Sequence, residues 1–388
     1  MLAYFIREIE MIKALLKLAV SYVIKVVLLP LYICPIKRNR IVFMSYSGTQ
    51  YSCNPKYISD YIKDNCNDYE IIWAFVSPEL FSLEPGIKKI KYLSLRYFYI
   101  VVTSKFCISN TGFNRFFIIR AGQKFIQTWH GGGAYKRRSS INVERNVFLK
   151  ILDHQHDKMI TDFISSSKYF TEYFIHDSVY NGNILNTGMP RNEYLIRNKS
   201  NKELLLEIRK KIADVKEEQF VVLYAPTWRD DGSSYAFPDF DTILKTIENK
   251  FKKKPLLLLR SHHFQSLSNT LTCEYLDVRE YPYMQELLLA SDMLISDYSS
   301  SIWDYSLLDK SCFLYTPDLK YYDDIRGFYT PIHSWGFDVC ETSEELDLAI
   351  ANFSQEKYNE KINKMHLEFG SYENKDSTSL LLKKLEII

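Results

Sequence analysis

The chain has 388 residues, of which 46% are hydrophobic and 25% charged, so it can fold around two or three hydrophobic cores and is not a disordered protein. The formal net charge is only +2, and the basic excess lies within the first 40 residues, which argues against a nucleic-acid-binding protein and favours contact with a membrane surface. The seven cysteines include no C-x-x-C pair, which disfavours a zinc site or a disulfide framework and indicates a reducing, cytoplasmic compartment.

The N-terminal segment, residues 1–36, contains the long apolar stretch MIKALLKLAVSYVIKVVLLPLYIC. Its polar residues recur every four positions, at Lys13, Lys17, Ser21 and Lys25, and so form one stripe of a helix opposite an apolar face. A lysine at the centre of a bilayer costs about 2.5–3.5 kcal/mol, which disfavours a helix that crosses the membrane. The pattern predicts an amphipathic helix lying in the membrane surface, with a spanning helix and a helix covering a soluble core as alternatives.

Beyond this segment, apolar strand-like runs alternate with amphipathic stretches, which predicts parallel sheets joined by helices. We expect two such α/β domains, one at residues 37–200 and one at residues 219–388, joined by a charged helix at residues 201–218. Neither contains G-x-G-x-x-G or a P-loop, which disfavours a dehydrogenase or a P-loop kinase. Ligands of open parallel sheets bind beyond the carboxyl ends of the strands, so the informative residues should directly follow the strand-like runs.

The segment LISDYSSSIWDYSLLDKS, residues 294–311, predicts an apolar strand followed by a helix that begins near Ser300. The unpaired N–H groups of a first helical turn, together with the hydroxyls of Ser299 and Ser300, suit a phosphate. Asp304 lies one turn further along the same face and can accept hydrogen bonds from a ribose diol. The alternative is a serine-rich helix cap followed by a solvent-facing aspartate.

Two further strand-like runs end in polar groups. YAPTWRDD places Thr227 and Arg229 after one strand, and LLLLRSHHF places Arg260, His262 and His263 after another. Arginines in such positions can hold phosphate oxygens, although a lone arginine more often forms a surface ion pair. One of the two histidines could supply a proton or a hydrogen bond to a leaving phosphate.

In the first domain, QTWHGGG follows a strand-like run and places His130 at the rim of a cleft, as a candidate catalytic group or a structural histidine. The glycines at 131–133 predict a tight turn or close approach of the backbone to a ligand. DHQHD, with His154 and His156, has the residue types of a metal cluster, but its polar composition favours a solvated loop or frayed helix. We expect no cofactor and no protein-bound catalytic metal, although Mg²⁺ carried by a diphosphate is compatible with the pattern.

These segments, in this order, resemble the CDP-glycerol glycerophosphotransferase family, whose members build teichoic acids and related capsular polymers. In the first half, the resemblance rests on W-H-G followed by a lysine, at Trp129, His130, Gly131 and Lys136, and on G-x-P-R-N, at Gly188, Pro190 and Arg191. In the second half, it rests on Y-A-P-T-W-R at 224–229 and on R-x-H at Arg260 and His262. It further rests on D-Y-S-S-x-x-x-D, at Asp297, Tyr298, Ser299, Ser300 and Asp304, and on GFY at 327–329. The sequence departs from the family pattern at His263, where the family has proline. This departure leaves open whether His262 or His263 is the active histidine.

The resemblance implies a GT-B fold, in which two Rossmann-like domains face each other across a cleft, and peripheral attachment to the cytoplasmic face of the membrane. It implies that a hydroxyl of a lipid-linked glycan or growing polymer attacks the β-phosphorus of CDP-glycerol, or of another CDP-polyol such as CDP-ribitol, and that CMP is released. His130 would be the base, and His262 would assist the leaving CMP phosphate. The implied substrate-binding residues are Gly131, Lys136, Arg191, Thr227, Arg229, Arg260, Asp297, Ser299, Ser300 and Asp304.

Two other functions are compatible with the sequence. The serine and carboxylate arrangement at 294–304 suits any nucleotide diphosphate, so a GT-B glycosyltransferase that uses a nucleotide sugar, or an enzyme similar to UDP-sugar 2-epimerases, is the nearer alternative. A catalytically inactive scaffold bound to the membrane is the other. The sequence also leaves open the choice between glycerol and ribitol, the transfer of one or many units, the acceptor and the oligomeric state.

Overall fold

A computed structural model describes residues 2–137, 147–178, 180–213, 215–227, 229, 236–260 and 273–388, with side chains from residue 11 onward. The α-helices are α1 (Leu2–Leu28), α2 (Cys53–Asn65), α3 (Leu95–Thr103), α4 (Val147–Lys158), α5 (Pro190–Asn198), α6 (Lys202–Ala213), α7 (Phe240–Phe251), α8 (Met284–Ala290), α9 (Ser301–Tyr305), α10 (Leu319–Ile325), α11 (Ser343–Ala351), α12 (Gln355–Glu368) and α13 (Ser377–Lys384). Short 3₁₀ turns lie at Leu29–Ile33, Tyr46–Gly48, Pro78–Leu80 and Ile332–Ser334, and a π-helical turn at Phe170–Ile175.

The strands form two parallel sheets, as the alternation of runs predicts. The strands are β1 (Lys37–Met44), β2 (Glu70–Phe75), β3 (Ile87–Lys91), β4 (Ser104–Ser109), β5 (Lys124–Gln127), β6 (Asp162–Ser165), β7 (Asn183–Asn186), β8 (Phe220–Tyr224), β9 (Pro255–Leu259), β10 (Tyr275–Asp277), β11 (Met293–Ser296), β12 (Ser311–Tyr315) and β13 (Asp338–Cys340). The first sheet has the order β3-β2-β1-β4-β5-β6-β7, and the second has the order β10-β9-β8-β11-β12-β13. The strand order reverses beside β1 in one sheet and beside β8 in the other, which are the places where open parallel sheets bind ligands.

Both faces of the inner strands are buried, for example in β8 and β12, which explains why these strands are almost continuously apolar, whereas the edge strand β3 is IKKIK and partly exposed. In β1, Ile41 and Phe43 belong to the large central core, whereas Val42 and Met44 face a separate core beneath α3. In the second sheet, Val222 points into an outer core covered by α7 and α11. The central core contains residues of both sheets, so it joins the two halves into one packed body.

The C-terminal end of the chain crosses back to the first half. The backbone N–H of Lys168 donates to Gly370 O at 3.0 Å, and Ser167 and Ser371 form an antiparallel bridge. The following α13 contacts α2 and α5 of the first half. Residues near the C-terminus therefore pack on the first sheet's half, although the sequence prediction assigned 219–388 as a whole to the second domain.

Helix α1 packs on the outside of the first half, next to α4. Ala14, Ser21 and Leu28 are buried against the body, whereas the exposed side carries a row of large apolar residues. This row consists of Met11, Ile12, Leu15, Leu16, Val20, Val23, Val26 and Val27, each between 43% and 67% exposed. Met11–Ile33 has the length and composition of a membrane-spanning helix, with a mean hydropathy of 2.0. Only 17% of its most apolar 18-residue stretch is buried in the protein.

Candidate active site

His130 lies just beyond the carboxyl end of β5, an inner strand of the first sheet. The chain turns sharply just before it, because Trp129 has a positive φ of 52°, an uncommon conformation for a residue with a side chain. Two contacts hold this turn: the side-chain amide of Asn54 donates to Trp129 O at 3.1 Å, and the indole stacks on the His130 ring at 4.3 Å between centroids. The turn directs the imidazole into the space between the two halves.

The imidazole of His130 has a defined tautomer. Its Nδ1 lies 3.1 Å from the carbonyl oxygen of Asn110, and since a carbonyl can only accept, Nδ1 carries the proton and the lone pair is on Nε2. Burial lowers the pKa of His130 to about 4, and the positive charges of Arg191 and Lys136 act in the same direction. At neutral pH the ring is therefore uncharged and Nε2 can accept a proton, although the same lowering of the pKa makes it a weaker base than an ordinary histidine.

The three glycines after His130 make room for the second half of the molecule. A Cβ at Gly131 would overlap the side chain of Ser300, and a Cβ at Gly132 would overlap the ring of Trp303. The backbone of this loop therefore lies directly against the start of α9. The backbone does approach another group closely, but that group is α9 of the opposite half, and an approach to a ligand stays a prediction.

Arg191 joins the two halves beside His130. Its N–H groups donate to His130 O at 2.7 Å and form a 2.5 Å ion pair with Asp304 across the cleft. Burial raises the pKa of Asp304, and the ion pair with Arg191 acts against this rise. The carboxylate is fully buried, and the side-chain amide of Gln285 also donates to its Oδ2 at 3.3 Å.

The structure corrects the prediction that Arg229 and Asp297 contact the substrate. The guanidinium of Arg229 is 2% exposed, donates to Asp297 at 3.0 Å and forms two hydrogen bonds with Asp318, at 2.7 and 3.0 Å. Asp297 also accepts from the backbone N–H of Thr227. These residues lie behind the cleft surface, where they fix the loop after β8 to the loop after β11.

Six of the predicted residues do line one cleft between the halves, with a volume of about 450 Å³. They are His130, Arg191, Arg260, Ser299, Ser300 and Asp304. Arg260 is held by the carbonyl oxygens of Val278 and Tyr281, and the backbone of Lys136 pairs with Phe328 of the GFY segment. The cleft thus presents a neutral base on one wall, and hydroxyl and guanidinium donors on the other.

Two side chains beside the cleft have no signal in the sequence that would identify them. Asn54 donates to Thr128 O and Trp129 O and accepts from the N–H of Arg191, so it positions both sides of the His130 loop. Glu373 accepts from Trp303 Nε1 at 2.9 Å and from the N–H of Met189 at 2.9 Å, and burial raises its pKa to about 7. Neither follows a strand, so a search of the strand ends does not find them.

His262 and His263 lie outside the described residues, as does Trp228 of the Y-A-P-T-W-R segment. The DHQHD cluster forms part of α4, which is the helical one of the two expected alternatives, and the His156 ring packs against Gly112. Asp239 and Asp241, which have D-x-D spacing, lie at the start of α7, where Asp239 caps the helix. Within the described ranges, no group of three His, Cys, Asp or Glu side chains is arranged to hold a metal ion.

Comparison with known proteins identifies relatives over nearly the whole chain. A teichoic acid poly(glycerol phosphate) polymerase from Bacillus spizizenii is 29% identical over 382 residues, which cover 90% of this chain and 93% of that protein. The corresponding polymerase of Staphylococcus epidermidis is 30% identical over 87% of this chain, but the match spans only 49% of that protein. A teichoic acid ribitol-phosphate polymerase of Staphylococcus aureus is 26% identical over 90% of this chain.

Solved structures agree with this relationship. A structure of the wall teichoic acid polymerase TagF, soaked with CDPG, superposes with a TM-score of 0.82 at 26% identity and covers 100% of this chain and 98% of that chain. A UDP-N-acetylglucosamine 2-epimerase from Listeria monocytogenes shares the fold alone, with a TM-score of 0.50 at 10% identity. The sequence model of the CDP-Glycerol:Poly(glycerophosphate) glycerophosphotransferase family matches residues 28–386, and this chain belongs to that family.

Proposed function

We propose that this protein transfers glycerol phosphate from CDP-glycerol to a hydroxyl group of a growing teichoic acid polymer and releases CMP. The observation that carries the proposal is the environment of His130: an uncharged imidazole whose lone pair is on Nε2, in a cleft lined by phosphate-binding groups. Membership of the glycerophosphotransferase family and the names of the relatives support the choice of donor.

In the proposed reaction, Nε2 of His130 takes the proton of the acceptor hydroxyl as its oxygen attacks the β-phosphorus of the donor. A new P–O bond forms, the bond to the CMP oxygen breaks, and its electron pair leaves with CMP. Because Asn110 O holds the Nδ1 proton, the ring stays oriented while it becomes a cation. His262 remains the predicted group that assists the leaving phosphate, with His263 as the alternative.

The donor would lie with its diphosphate against the second half. Ser299, Ser300 and Arg260 face the same cleft as His130, and donors already in place around a developing phosphoryl charge are the main source of catalysis in phosphoryl transfer. Asp304 remains the residue predicted to contact the ribose, although in this structure its carboxylate is buried and paired with Arg191. We infer that the two halves form a GT-B arrangement, with His130 on the acceptor side and the nucleotide on the other.

The acceptor side would face the cytoplasmic surface of the membrane, with a lipid-linked glycan or polymer as the acceptor. The row of exposed apolar residues on α1 supports attachment in the plane of the membrane, since such a row costs free energy in water and gains it at a lipid interface. Ribitol phosphate is the second candidate group for transfer, because ribitol-phosphate polymerases occur among the relatives.

The test is nucleotide release from the purified full-length protein, supplied with a lipid-linked acceptor and with CDP-glycerol, CDP-ribitol or UDP-sugars in separate reactions. We expect CMP with one CDP-alcohol, and a rate lowered by roughly 10²–10⁴-fold in His130→Ala. His154→Ala is the matched control, because His154 is an exposed histidine of α4 and should turn over at the wild-type rate. Parallel reactions with EDTA or Mg²⁺ test whether a metal ion is needed.

UDP release would indicate a sugar transferase instead, and epimerised sugar without nucleotide release would indicate a 2-epimerase. If every donor is inert with a competent acceptor while CDP-glycerol still binds, the protein is an inactive scaffold. Loss of CDP-glycerol binding in His130→Ala would contradict the assignment of His130 to the acceptor side.

A further inference from the structure

A second cavity of about 510 Å³ lies between α1 and the loop that follows β4. We call it the α1 groove and define it by Lys17, Val20, Ser21, Ile24 and the segment 111–116, all of which line it. Its volume falls within the range of about 300–1,000 Å³ that is usual for small-molecule sites. The proposed transfer reaction does not use this cavity.

The lining of the α1 groove is amphiphilic. Val20, Ile24, Phe113 and Phe116 form an apolar wall, and Lys17 and Arg115 supply positive charge. Arg115 is only partly neutralised, since its guanidinium lies 3.6 Å from Asp153 and is 37% exposed. A ligand with an apolar chain and an anionic head matches both parts of this lining.

Two polar atoms at the groove lack hydrogen-bond partners within the part of the chain that the structure describes. The hydroxyl of Ser21 is one, although the residue is only 6% exposed and lines the groove, and Nε of Arg115 is the other. Leaving a buried polar group unpaired is unfavourable, and a ligand in the adjacent cavity could complete the hydrogen bonds of both atoms. Both atoms can donate, which again suits an anionic head group.

The α1 groove shares a wall with the candidate active site. The N–H of Tyr46 donates to the Asn110 side chain at 2.8 Å, and the N–H of Ser47 donates to Thr111 Oγ1 at 3.0 Å. Tyr46 lines the catalytic cleft, whereas Ser47 and Thr111 line the groove. A ligand in the groove would therefore lie beside the residues that hold His130, on the acceptor side.

We propose that the α1 groove binds the lipid end of the acceptor, with the apolar chain against Val20 and Phe116 and the lipid phosphate at Lys17, Ser21 and Arg115. This inference rests on the proposed function, because it assigns a binding site to the acceptor of that reaction. The groove holds the lipid while the polymer end, on the other side of the 46–47 and 110–111 wall, reaches Nε2 of His130.

The first experiment measures binding to the detergent-solubilised full-length protein, with decyl phosphate below its critical micelle concentration as the probe. Inorganic phosphate and decanol are the two partial probes. We expect decyl phosphate to raise the melting midpoint of the wild type more than either partial probe. We expect Lys17→Glu to weaken its binding at least roughly tenfold, because a negative charge then faces the anionic head group. Ser21→Ala, which removes only the unpaired hydroxyl, should weaken binding to a smaller extent.

Lys150→Glu is the matched control, because Lys150 is an exposed lysine of α4 that does not line the groove. It makes the same change in charge and should bind decyl phosphate as the wild type does. Equal weakening by both variants would mean that general electrostatics explain the binding and would overturn the proposal. The proposal would also be overturned if inorganic phosphate bound as tightly as decyl phosphate. It would be overturned as well if a phospholipid that is not an acceptor displaced decyl phosphate as effectively as the lipid-linked acceptor.

The second experiment separates this inference from the proposed function. CMP release is measured with the lipid-linked acceptor and with a water-soluble glycerol phosphate oligomer. We expect Lys17→Glu to raise the KM for the lipid-linked acceptor and to leave the KM for CDP-glycerol and the reaction with the soluble oligomer unchanged. If CMP is released but Lys17→Glu and Lys150→Glu have the same acceptor KM, the groove is not the lipid site although the proposed function stands. If CMP is not released at all, the proposed function itself fails.

Discussion

At the scale of single residues, the chemistry of His130 is set by its surroundings. The Asn110 carbonyl fixes the tautomer, and burial beside Arg191 and Lys136 disfavours the imidazolium. A histidine with an ordinary pKa of about 6.5 would be partly protonated in mildly acidic solution and would lose part of its capacity as a base. The cleft therefore keeps the His130 imidazole uncharged over a wider pH range than that of an ordinary histidine.

The predicted consequence is an unusually acidic limb in the pH profile. His130 acts as a base only above its pKa, so kcat/KM for CMP release should stay near its plateau from pH 7 to pH 5 and fall as the pH decreases through about 4. Circular dichroism at each pH shows whether the protein is still folded. Lys136→Gln removes one of the nearby positive charges and should move the limb to higher pH, whereas a wild-type limb near 6.5 would contradict the buried, uncharged state of His130.

The arginines show how much of a residue's role can be predicted from its position after a strand. Arg191 and Arg260 reach the cleft as expected, whereas Arg229 is taken up by Asp297 and Asp318. In the sequence the three residues look alike, because each is an arginine within a motif of the family. Their different roles depend on which carboxylates the fold brings near, and Asp318 is 89 residues away from Arg229 in the chain.

At the scale of elements, the decisive contact is between the 131–133 loop and α9. The glycines let the backbone of one half lie against the first turn of a helix in the other half, so the two halves of the site are held together at His130. Glu373, from the C-terminal crossing segment, reinforces this contact through Trp303 and Met189. Loop, helix and crossing segment therefore act together to position the site.

We predict that Gly131→Ala disrupts this contact. The new Cβ would overlap Ser300, and overpacking of this kind costs typically about 1–3 kcal/mol, so the melting midpoint should fall and the KM for CDP-glycerol should rise. Thermal unfolding and CMP release measure the two effects. The double variant Gly131→Ala with Ser300→Gly restores the space and should recover much of the melting midpoint, and a double variant as unstable as Gly131→Ala would show that the overlap is not the cause.

At the scale of the whole molecule, the two halves form one body with an apolar stripe along one outer side. The central core contains residues of both sheets, and the chain crosses back to the first half at residues 369–371. Helix α1 lies outside this body and presents its apolar row to the surroundings. The cleft at His130 therefore lies next to the α1 groove, and the groove lies next to the exposed apolar row of α1.

The predicted result of this arrangement is membrane binding through the exposed face of α1. Val23 is 62% exposed and Val27 is 67% exposed, and withdrawing an apolar side chain of this size from lipid costs roughly 1.5–3 kcal/mol. The double variant Val23→Asp with Val27→Asp should therefore lose cosedimentation with vesicles that contain anionic lipid. Leu348→Asp is the control, because Leu348 is equally exposed but lies on α11 of the second half, and equal loss in this variant would place the membrane contact elsewhere.

The sequence by itself determined the local features of this protein. Its alternating apolar runs determined two parallel sheets, and the polar residues after the strand-like runs predicted a cleft that includes His130, Arg260 and Ser300. Arg191 was implied only by the family resemblance. The N-terminal apolar run, with Lys13, Lys17, Ser21 and Lys25 spaced by four residues, predicted the helix that the structure shows as α1. In each case the signal is carried by residues close together in the chain.

Only the tertiary structure decided which of these residues meet. It separated Arg229 from the cleft, paired Arg191 with Asp304 over 113 positions of sequence, and brought Asn54 and Glu373 to the site without any motif. It also turned Ser21 toward the body of the protein, away from the exposed apolar row of α1. These outcomes depend on packing between distant segments, and contacts of that kind leave no periodicity in the sequence from which they could be predicted.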